Sequence, residues 1–225
     1  MTTSRFTTLA GPAIAEIEVK HSRFLCELTP VGAGDDEASE VAARAVVEAA
    51  RKQHWDARHH CSAFVLGPQR QVRRSNDDGE PSGTAGAPML EALVASGLSD
   101  VVAVVTRWFG GTLLGAGGLV RAYGDVVRAA LAEARVVTYE CRLVMAADVG
   151  IADVGRVENA LRAAGRHVEG VDYAQGAASG TARLVLAVTQ ADRAALASEL
   201  ASLTGGSADL DECGQRWVSL ADQPG

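Results

Sequence analysis

The N-terminal part of the chain alternates between segments with the hydrophobic spacing of a strand and segments with the spacing of a helix. Apolar residues at every second position predict strands over Ala13–Val19 and Phe24–Val31. A helix that ends near Gln53 follows, because its apolar residues recur at intervals of three and four. The apolar face predicted for this helix consists of Val41, Ala42, Ala45, Val46 and Ala49.

Five further elements are predicted before residue 137. A nearly continuous β-branched run at Val101–Thr106 is typical of a strand that is buried on both faces. The residues from Leu119 to Ala134 trace an amphipathic helix. The other three elements are strands at Cys61–Leu66 and Gln71–Ser75 and a short helix at Pro88–Ala95.

After Arg135 the pattern changes to that of a second domain. The predicted elements are, in order, a strand at Arg142–Val149, a helix at Val154–Ala164, strands at His167–Ala174 and Arg183–Thr189, a helix around Leu196–Leu203, and a strand at Leu210–Leu220. This β-α-β-β-α-β order is typical of a ferredoxin-like domain. The sequence therefore predicts an α+β protein with a larger domain over residues 1–137 and a ferredoxin-like domain over residues 138–225.

Two glycine-rich blocks lie in the larger domain, DDGEPSGTAG at residues 77–86 and RWFGGTLLGAGGLVRAYG at residues 107–124. Each block leads into a helix-like apolar run, and this arrangement predicts two helix N-termini that converge on one place. Glycine loses more backbone freedom on folding than any other residue. So many glycines therefore indicate a close backbone approach, either to the protein's own core or to a ligand.

Composition and charge limit the functions and the cellular location that the sequence predicts. The formal net charge of −7 argues against a general polyanion binder, although it leaves room for a local basic patch. No apolar run approaches the ~20 residues that span a bilayer, and the first residues lack the apolar centre of a secretory signal, so a cytoplasmic location is expected. The four cysteines form no close pair, and free thiols are expected.

The usual nucleotide-binding motifs are missing. The chain contains no GxxxxGK[ST] string, and the run from Gly115 to Gly118 is followed by Val120 where a dinucleotide fingerprint needs glycine or alanine. The sequence still allows an anion-binding site without a fixed motif, because unpaired N–H groups at a helix start attract negative charge. Arg107 and Arg121 flank the second block and could join such a site. In the alternative, the glycines serve packing and the arginines pair with Asp77, Asp78 or Glu80.

Acidic, histidine and basic residues between positions 51 and 80 are candidates for a metal site or a nucleic-acid surface. The acidic run at residues 77–80 lacks the regular ligand spacing of a calcium loop, and a turn before a helix is the favoured interpretation. His59 and His60 are adjacent and point to opposite faces of a strand, so no metal site is expected, although one functional histidine stays open. The basic stretch from Arg51 to His60, together with Arg70, Arg73 and Arg74, is a candidate nucleic-acid surface. Trp55 could stack a base there, but the pattern favours Trp55 in the core.

The sequence resembles the IMPACT/YigZ family. The resemblance rests on the two glycine-rich blocks, on Ser22-Arg23-Phe24, and on Asp56-Ala57-Arg58-His59-His60-Cys61, which is similar to the family's D-A-T-H-N-C segment. His60 stands in place of the usual asparagine, and Trp108 in place of the usual tyrosine. The likeness covers residues 15–135, and the C-terminal part resembles the small ferredoxin-like domain of bacterial members.

The resemblance implies a fold and a function. It implies an N-terminal domain like the second domain of ribosomal protein S-five and a C-terminal domain like the last domain of translation elongation factor G. Because such domains are adjacent in a ribosome-bound GTPase, it also implies contact with RNA or the ribosome. Eukaryotic relatives regulate translation by protein–protein binding, restraining an amino-acid-starvation kinase, and the family brings no established catalytic activity.

The leading hypothesis is a non-catalytic, translation-associated protein that binds RNA, the ribosome or a translation factor through its N-terminal domain, with no cofactor and no metal. The alternatives are a protein–protein interaction regulator of a stress response and an enzyme acting on a phosphorylated small molecule. The predicted binding residues are Arg23, His59, Asp77, Asp78, Glu80, Ser82, Gly83, Thr84, Gly86, Arg107, Trp108, Gly110, Gly111, Gly115, Gly117, Gly118, Arg121 and Tyr123.

Overall fold

The computed structural model describes residues 4–32, 36–174 and 179–220. The chain divides into two compact units between Glu140 and Cys141, and the first unit also contains Ser219 and Leu220. Both units combine helices with antiparallel strands, so the chain is a mixed α+β protein, as predicted.

The first unit is built on an antiparallel sheet. Its elements are β1 (Arg5–Leu9), β2 (Ala13–Val19), β3 (Ser22–Pro30), α1 (Asp36–Gln53), β4 (His59–Leu66), β5 (Val72–Asn76), α2 (Gly86–Ser96), β6 (Val101–Trp108), α3 (Ala116–Glu133) and the start of β7 (Val136–Gly150). The strand order of the sheet is β2-β3-β6-β4-β5. Arg23 pairs with Trp108 and His59 pairs with Arg107, so the starts of β3 and β4 meet the end of β6 at one end of the sheet.

Helices cover both faces of this sheet. On one face α2 and α3 enclose the larger core, where Phe24, Met89 and Tyr123 are fully buried. On the other face α1 covers a smaller cluster that includes Leu66 and Val104. Every residue from Val101 to Arg107 is buried, and the prediction of a strand buried on both faces is therefore confirmed.

The face of α1 that packs on the sheet differs in part from the predicted one. Val41 is 66% exposed, and Ala45 and Ala49 are also exposed. Ala42 and Val46 pack as predicted, at the edge of the buried face that Ala43, Val47 and Ala50 form. The helix carries apolar residues on more than one side, so helical spacing alone fits two faces equally well. Contact with Phe64 and the other residues of the cluster beneath it selects the face that is buried.

The strand β1 was not predicted. It pairs in antiparallel fashion with the first residues of β7, so that Phe6 lies opposite Tyr139 and their rings stack at 5.4 Å. The segment has only five residues, and its partner is far along the chain. A short strand whose order depends on such a distant partner leaves little local signal in the sequence.

The second unit contains the rest of β7 and then α4 (Ile151–Ala163), β8 (Val168–Asp172), β9 (Thr181–Val188), α5 (Arg193–Thr204) and all but the last residue of β10 (Asp211–Ser219). The β-α-β-β-α-β order predicted here is observed, and β10 pairs with β7, β7 with β9, and β9 with β8. Its core joins both helices to the strands, with Leu161, Leu184 and Leu196 almost fully buried. No helix among the described residues is long and apolar enough to cross a bilayer.

Candidate functional site

One end of the first unit's sheet gathers exposed aromatic, apolar and cationic side chains. We call it the sheet-end face and define it by Arg23, Trp55, Arg58, His59, Trp108, Phe109 and Leu113. Trp55 and Leu113 are each 82% exposed, and Phe109 is 44% exposed. Phe109 and Leu113 line one cavity, and exposed apolar side chains that lie together in this way mark interaction surfaces.

Trp108 is the fixed centre of this face. The guanidinium of Arg23 lies 3.7 Å from the centroid of the Trp108 ring, and the His54 ring meets it edge-on at 5.5 Å. The indole Nε1 donates a hydrogen bond to the Asp56 carboxylate at 2.9 Å. These contacts hold the 54–56 turn against β6 and leave Trp55, between two contacting residues, pointing away.

The preference for Trp55 in the core is therefore wrong. The helix α1 ends at Gln53, so Trp55 lies beyond the segment whose apolar residues pack on the sheet. Its neighbours His54 and Asp56 carry the contacts that anchor the turn. The hydrophobic character of Trp55 favours burial, but the turn anchored by His54 and Asp56 leaves its side chain exposed.

A buried polar network lies behind the sheet-end face, centred on Glu80. The Glu80 carboxylate accepts hydrogen bonds from Arg107 Nη1 at 2.6 Å and from the Tyr123 hydroxyl at 2.8 Å, and it lies 4.0 Å from His59 Nε2. The side chains of Arg107 and Glu80 are 6% and 4% exposed. The internal pairing of Arg107 with an acidic residue, one of the two alternatives considered above, is thus realised.

The network keeps its thiol and its phenol protonated. Burial is the main cause that raises the pKa of Tyr123, with further contributions from Cys61 and Glu80. Burial also raises the pKa of the Cys61 thiol to about 12. All four cysteines lie in described segments and none forms a disulfide, as expected. Since the thiolate is the reactive form, the raised pKa disfavours Cys61 as a nucleophile.

The first glycine-rich block folds around Asp77. The Asp77 carboxylate accepts hydrogen bonds from the backbone N–H groups of Gly83 at 2.8 Å, Ala85 at 3.0 Å and Gly86 at 2.8 Å. Although partial burial raises the pKa of Asp77, these three hydrogen bonds outweigh it and lower the pKa below its ordinary value. The start of α2 is therefore satisfied by the protein's own carboxylate.

Replacing Asp77 by alanine should lower the free energy of unfolding by about 0.5–2 kcal/mol, the usual effect of losing a helix cap. Because the folded-state pKa is depressed, the stabilisation is fully present above the unfolded value of about 3.9 and is lost as pH falls through the folded pKa. Urea unfolding of wild type, Asp77→Ala and Asp77→Asn at several pH values tests this. A stability difference from Asp77→Asn that stays constant down to pH 2 would contradict it.

The glycines of the second block serve different purposes. A Cβ on Gly110 would collide with the backbone of His21 and Ser22, so Gly110 permits close packing of the chain on itself. A Cβ on Gly111, Gly115 or Gly117 would meet nothing within 4 Å. Gly111 and Gly115 adopt positive φ angles of 83° and 74°, which favour glycine, whereas Gly117 does not.

A cavity of about 390 Å³ opens at the start of α3, and we call it the α3 cavity. Its polar wall consists of Arg58, His59, Glu80 and Arg107, and its apolar wall of Pro81, Phe109, Leu113, Leu114 and Leu119, with Gly115 and Ala116 at the helix start. No side chain caps α3 among the residues that the structure describes. The two predicted helix N-termini therefore differ, since Asp77 satisfies one and the other opens onto a cavity.

Two of the predicted binding residues, Arg23 and Trp108, lie on the sheet-end face, and four more are the second-block glycines Gly110, Gly111, Gly117 and Gly118. The other predicted residues fall into three groups. His59, Glu80, Arg107 and Gly115 line the α3 cavity. A second group makes contacts within the chain and consists of Asp77, Asp78, Thr84, Gly86 and Tyr123. Asp78 accepts hydrogen bonds from Arg51 and from the His60 N–H, and Tyr123 donates one to Glu80. Thr84 donates to the Pro81 carbonyl, and Gly86 packs on the Asn76 backbone. Ser82, Gly83 and Arg121 are exposed. Whether these residues bind a partner stays a prediction.

Three residues of this region were included only within longer predicted segments and were not singled out as binding residues: Arg58 within the basic stretch, and Phe109 and Leu113 within the second glycine-rich block. All three lie within the segments that carry the family resemblance, but neither hydrophobic spacing nor motif chemistry distinguishes them from their neighbours. As for metals, the described part of the chain contains no group of three or more His, Cys, Asp or Glu side chains that could hold an ion.

Fold and site together define a two-unit α+β protein with a cavity at the sheet end of its first unit. The family model of the Impact N-terminal domain matches residues 20–131. IMPACT family member YvyE of Bacillus subtilis is 39% identical over 197 residues, which cover 88% of this chain and 86% of the relative. The chain belongs to the IMPACT family.

Two further likenesses agree with this assignment. IMPACT family member YigZ of Escherichia coli is 48% identical over 124 residues, or 54% of this chain and 58% of the relative. A crystal structure described as that of a hypothetical protein matches with a TM-score of 0.65 and 35% identity, over 93% of this chain and 97% of the other. This last match extends the likeness across both units.

Proposed function

We propose that this protein is a non-catalytic, translation-associated factor that binds RNA through the sheet-end face of its first unit. Membership of the IMPACT family, a translation-related regulatory family, supports the proposal. The proposal includes a first unit like the second domain of ribosomal protein S-five and a second unit like the last domain of elongation factor G. That pairing is an argument by analogy between folds, and the surface carries the greater weight.

The observation that carries the proposal is the exposure of Trp55 beside cations. Trp55 is 82% exposed, and it lies between two exposed cations along the chain, Lys52 in the last turn of α1 and Arg58 just before β4. A third exposed cation, Arg23 at the start of β3, lies over the Trp108 ring of the same face. Unstacked RNA bases bind to exposed aromatic rings, while Lys and Arg contact the phosphates. Since the whole chain carries a net charge of −7, binding depends on this local patch rather than on overall charge.

Replacing Trp55 by alanine should weaken RNA binding about fivefold to a hundredfold, because stacking of one base on an aromatic ring contributes about 1–3 kcal/mol. Because the Trp55 side chain is exposed, the variant should be as stable as wild type. Fluorescence anisotropy of a labelled RNA hairpin with a single-stranded loop measures the change in affinity. Tyr173→Ala is the matched control, since Tyr173 is an aromatic residue that is 54% exposed in the second unit. Equal affinities of wild type and both variants would contradict the proposal.

A second candidate function is binding of a protein partner through the same face. It is favoured by Leu113, an aliphatic side chain that is 82% exposed at the mouth of the α3 cavity. A partner captured by the wild-type protein after nuclease treatment, and lost with Leu113→Ser, would support this function. Loss of all captured material on nuclease treatment would support RNA instead.

A further inference from the structure

The start of α3 presents hydrogen-bond donors beside the α3 cavity, whose lining includes Gly115 and Ala116. The N–H groups of Ala116, Gly117 and Gly118 make no hydrogen bond with any residue that the structure describes. The N–H groups of the first helical turn point along the axis, away from the helix, and carry a partial positive charge. The wall of the cavity reached by this end of α3 therefore favours a negatively charged group.

A second, independent observation comes from Arg107 on the same cavity wall. The residue is only 5% exposed, yet its Nε is buried without a hydrogen-bond partner in the described structure. Its Nη1 pairs with Glu80 and its Nη2 lies 3.3 Å from Ser22 Oγ. A buried guanidinium N–H without an acceptor is unfavourable. Arg107 lines the α3 cavity, so a small shift of its side chain would let an acceptor in the cavity pair with this group.

Gly117 adds a third observation. Its φ lies outside the left-handed region, and an added Cβ would meet nothing within 4 Å, so neither its conformation nor its packing requires glycine. Glycine in a helix is about 1 kcal/mol less favourable than alanine. The bare backbone at this point suits the close approach of a ligand, as in loops that bind phosphate through backbone N–H groups.

Charge and shape indicate what kind of ligand fits. The positive charge of Arg107 offsets the negative charge of Glu80 on the cavity wall. Arg58 lines the same cavity and makes no ion pair with any described residue, so the lining has a net positive charge. The start of α3 adds its partial positive charge. Several donors around one point suit a phosphate monoester, which carries nearly two negative charges and three acceptor oxygens. Phe109, Leu113 and Leu114 form an apolar wall beside them that suits a nucleoside.

We propose that the α3 cavity binds the phosphate monoester of a nucleotide, with the phosphate at the N–H groups of residues 116–118 and the nucleoside against Phe109 and Leu113. This inference deepens the proposed function and rests on it where the nucleotide is the 5′ end of an RNA. A free nucleoside monophosphate presents the same chemistry, and the experiment separates the two sources.

The test compares three probes by anisotropy and calorimetry: a 5′-phosphorylated RNA oligonucleotide, the same RNA with a 5′-hydroxyl, and adenosine 5′-monophosphate. The phosphorylated RNA should bind at least about tenfold more tightly than the hydroxyl form, because charge-assisted hydrogen bonds contribute about 1.5–3 kcal/mol each. Adenosine monophosphate should compete for the same site.

Two variants locate the site. Gly117→Asp should abolish the preference for the 5′-phosphate by placing a carboxylate there, while the melting temperature stays unchanged or rises, because an acid in the first helical turn is favourable. Gly155→Asp is the matched control, since Gly155 lies in α4 and an added Cβ there also meets nothing within 4 Å. It adds the same charge and should keep the preference.

The outcomes distinguish this inference from the proposed function. RNA binding without a 5′-phosphate preference overturns the inference and leaves the proposed function standing. Binding of adenosine monophosphate alone, lost in Gly117→Asp, supports the cavity and overturns RNA binding. A preference that survives Gly117→Asp places the phosphate elsewhere and overturns the inference, and binding of no probe overturns both.

Discussion

Glu80→Ala should lower the free energy of unfolding by about 3–5 kcal/mol, because it leaves the buried charge of Arg107 without a partner. Both side chains of the pair are almost completely buried, and the Tyr123 hydroxyl loses its acceptor in the same variant. Urea unfolding followed by tryptophan fluorescence measures the change, since Trp55 and Trp108 both report on the first unit.

Asp125→Ala is the control for this prediction. It removes one partner of the Arg128–Asp125 ion pair on α3, whose side chains are 58% and 51% exposed. Exposed ion pairs contribute about 0–1 kcal/mol, so this variant should remain close to wild type. If Glu80→Ala were no more destabilising than Asp125→Ala, the buried network would not be the structural centre described here.

Gly110→Ala should destabilise the protein by about 3 kcal/mol or more, which is at or above the usual range for overpacking. The added methyl group would collide with backbone atoms of His21 and Ser22, and backbone atoms have no alternative rotamer. The effect should appear as a lower urea midpoint with an unchanged m-value, because the change acts on stability rather than on the extent of unfolding.

Gly117→Ala provides the contrast from the same glycine-rich block. An added Cβ there meets nothing within 4 Å, and φ lies outside the left-handed region, so the variant should be as stable as wild type or up to about 1 kcal/mol more stable. Similar losses of stability in both variants would mean that the two glycines serve the same purpose, against the structure.

Much of the fold could be predicted from hydrophobic spacing because each predicted element buries a regular set of apolar side chains. The run Val101–Thr106 is β-branched except at Ala103 and lies at the centre of its sheet, so sequence and environment agree. The face of α1 could not be fixed, because apolar residues occupy several sides of that helix. The strand β1 was missed, because its order depends on residues 136–140, which no local pattern connects to it.

The candidate site was only partly predictable. The glycine-rich blocks identified the region, and the two helix starts were expected together. Which start is satisfied internally depends on the position of Asp77 relative to Gly83 and Gly86, a matter of turn geometry. Trp55 was assigned to the core, because its size favours burial and nothing local reveals that His54 and Asp56 anchor the turn against Trp108.

The central claim is that the sheet-end face binds RNA, and cross-link mapping tests it most directly. The full chain would be irradiated with bound RNA, digested, and the cross-linked peptides identified by mass spectrometry. The account predicts cross-links on peptides that contain Trp55 or Phe109, since these exposed rings can stack on bases. Cross-links confined to residues 141–218, with none on the first unit, would contradict it.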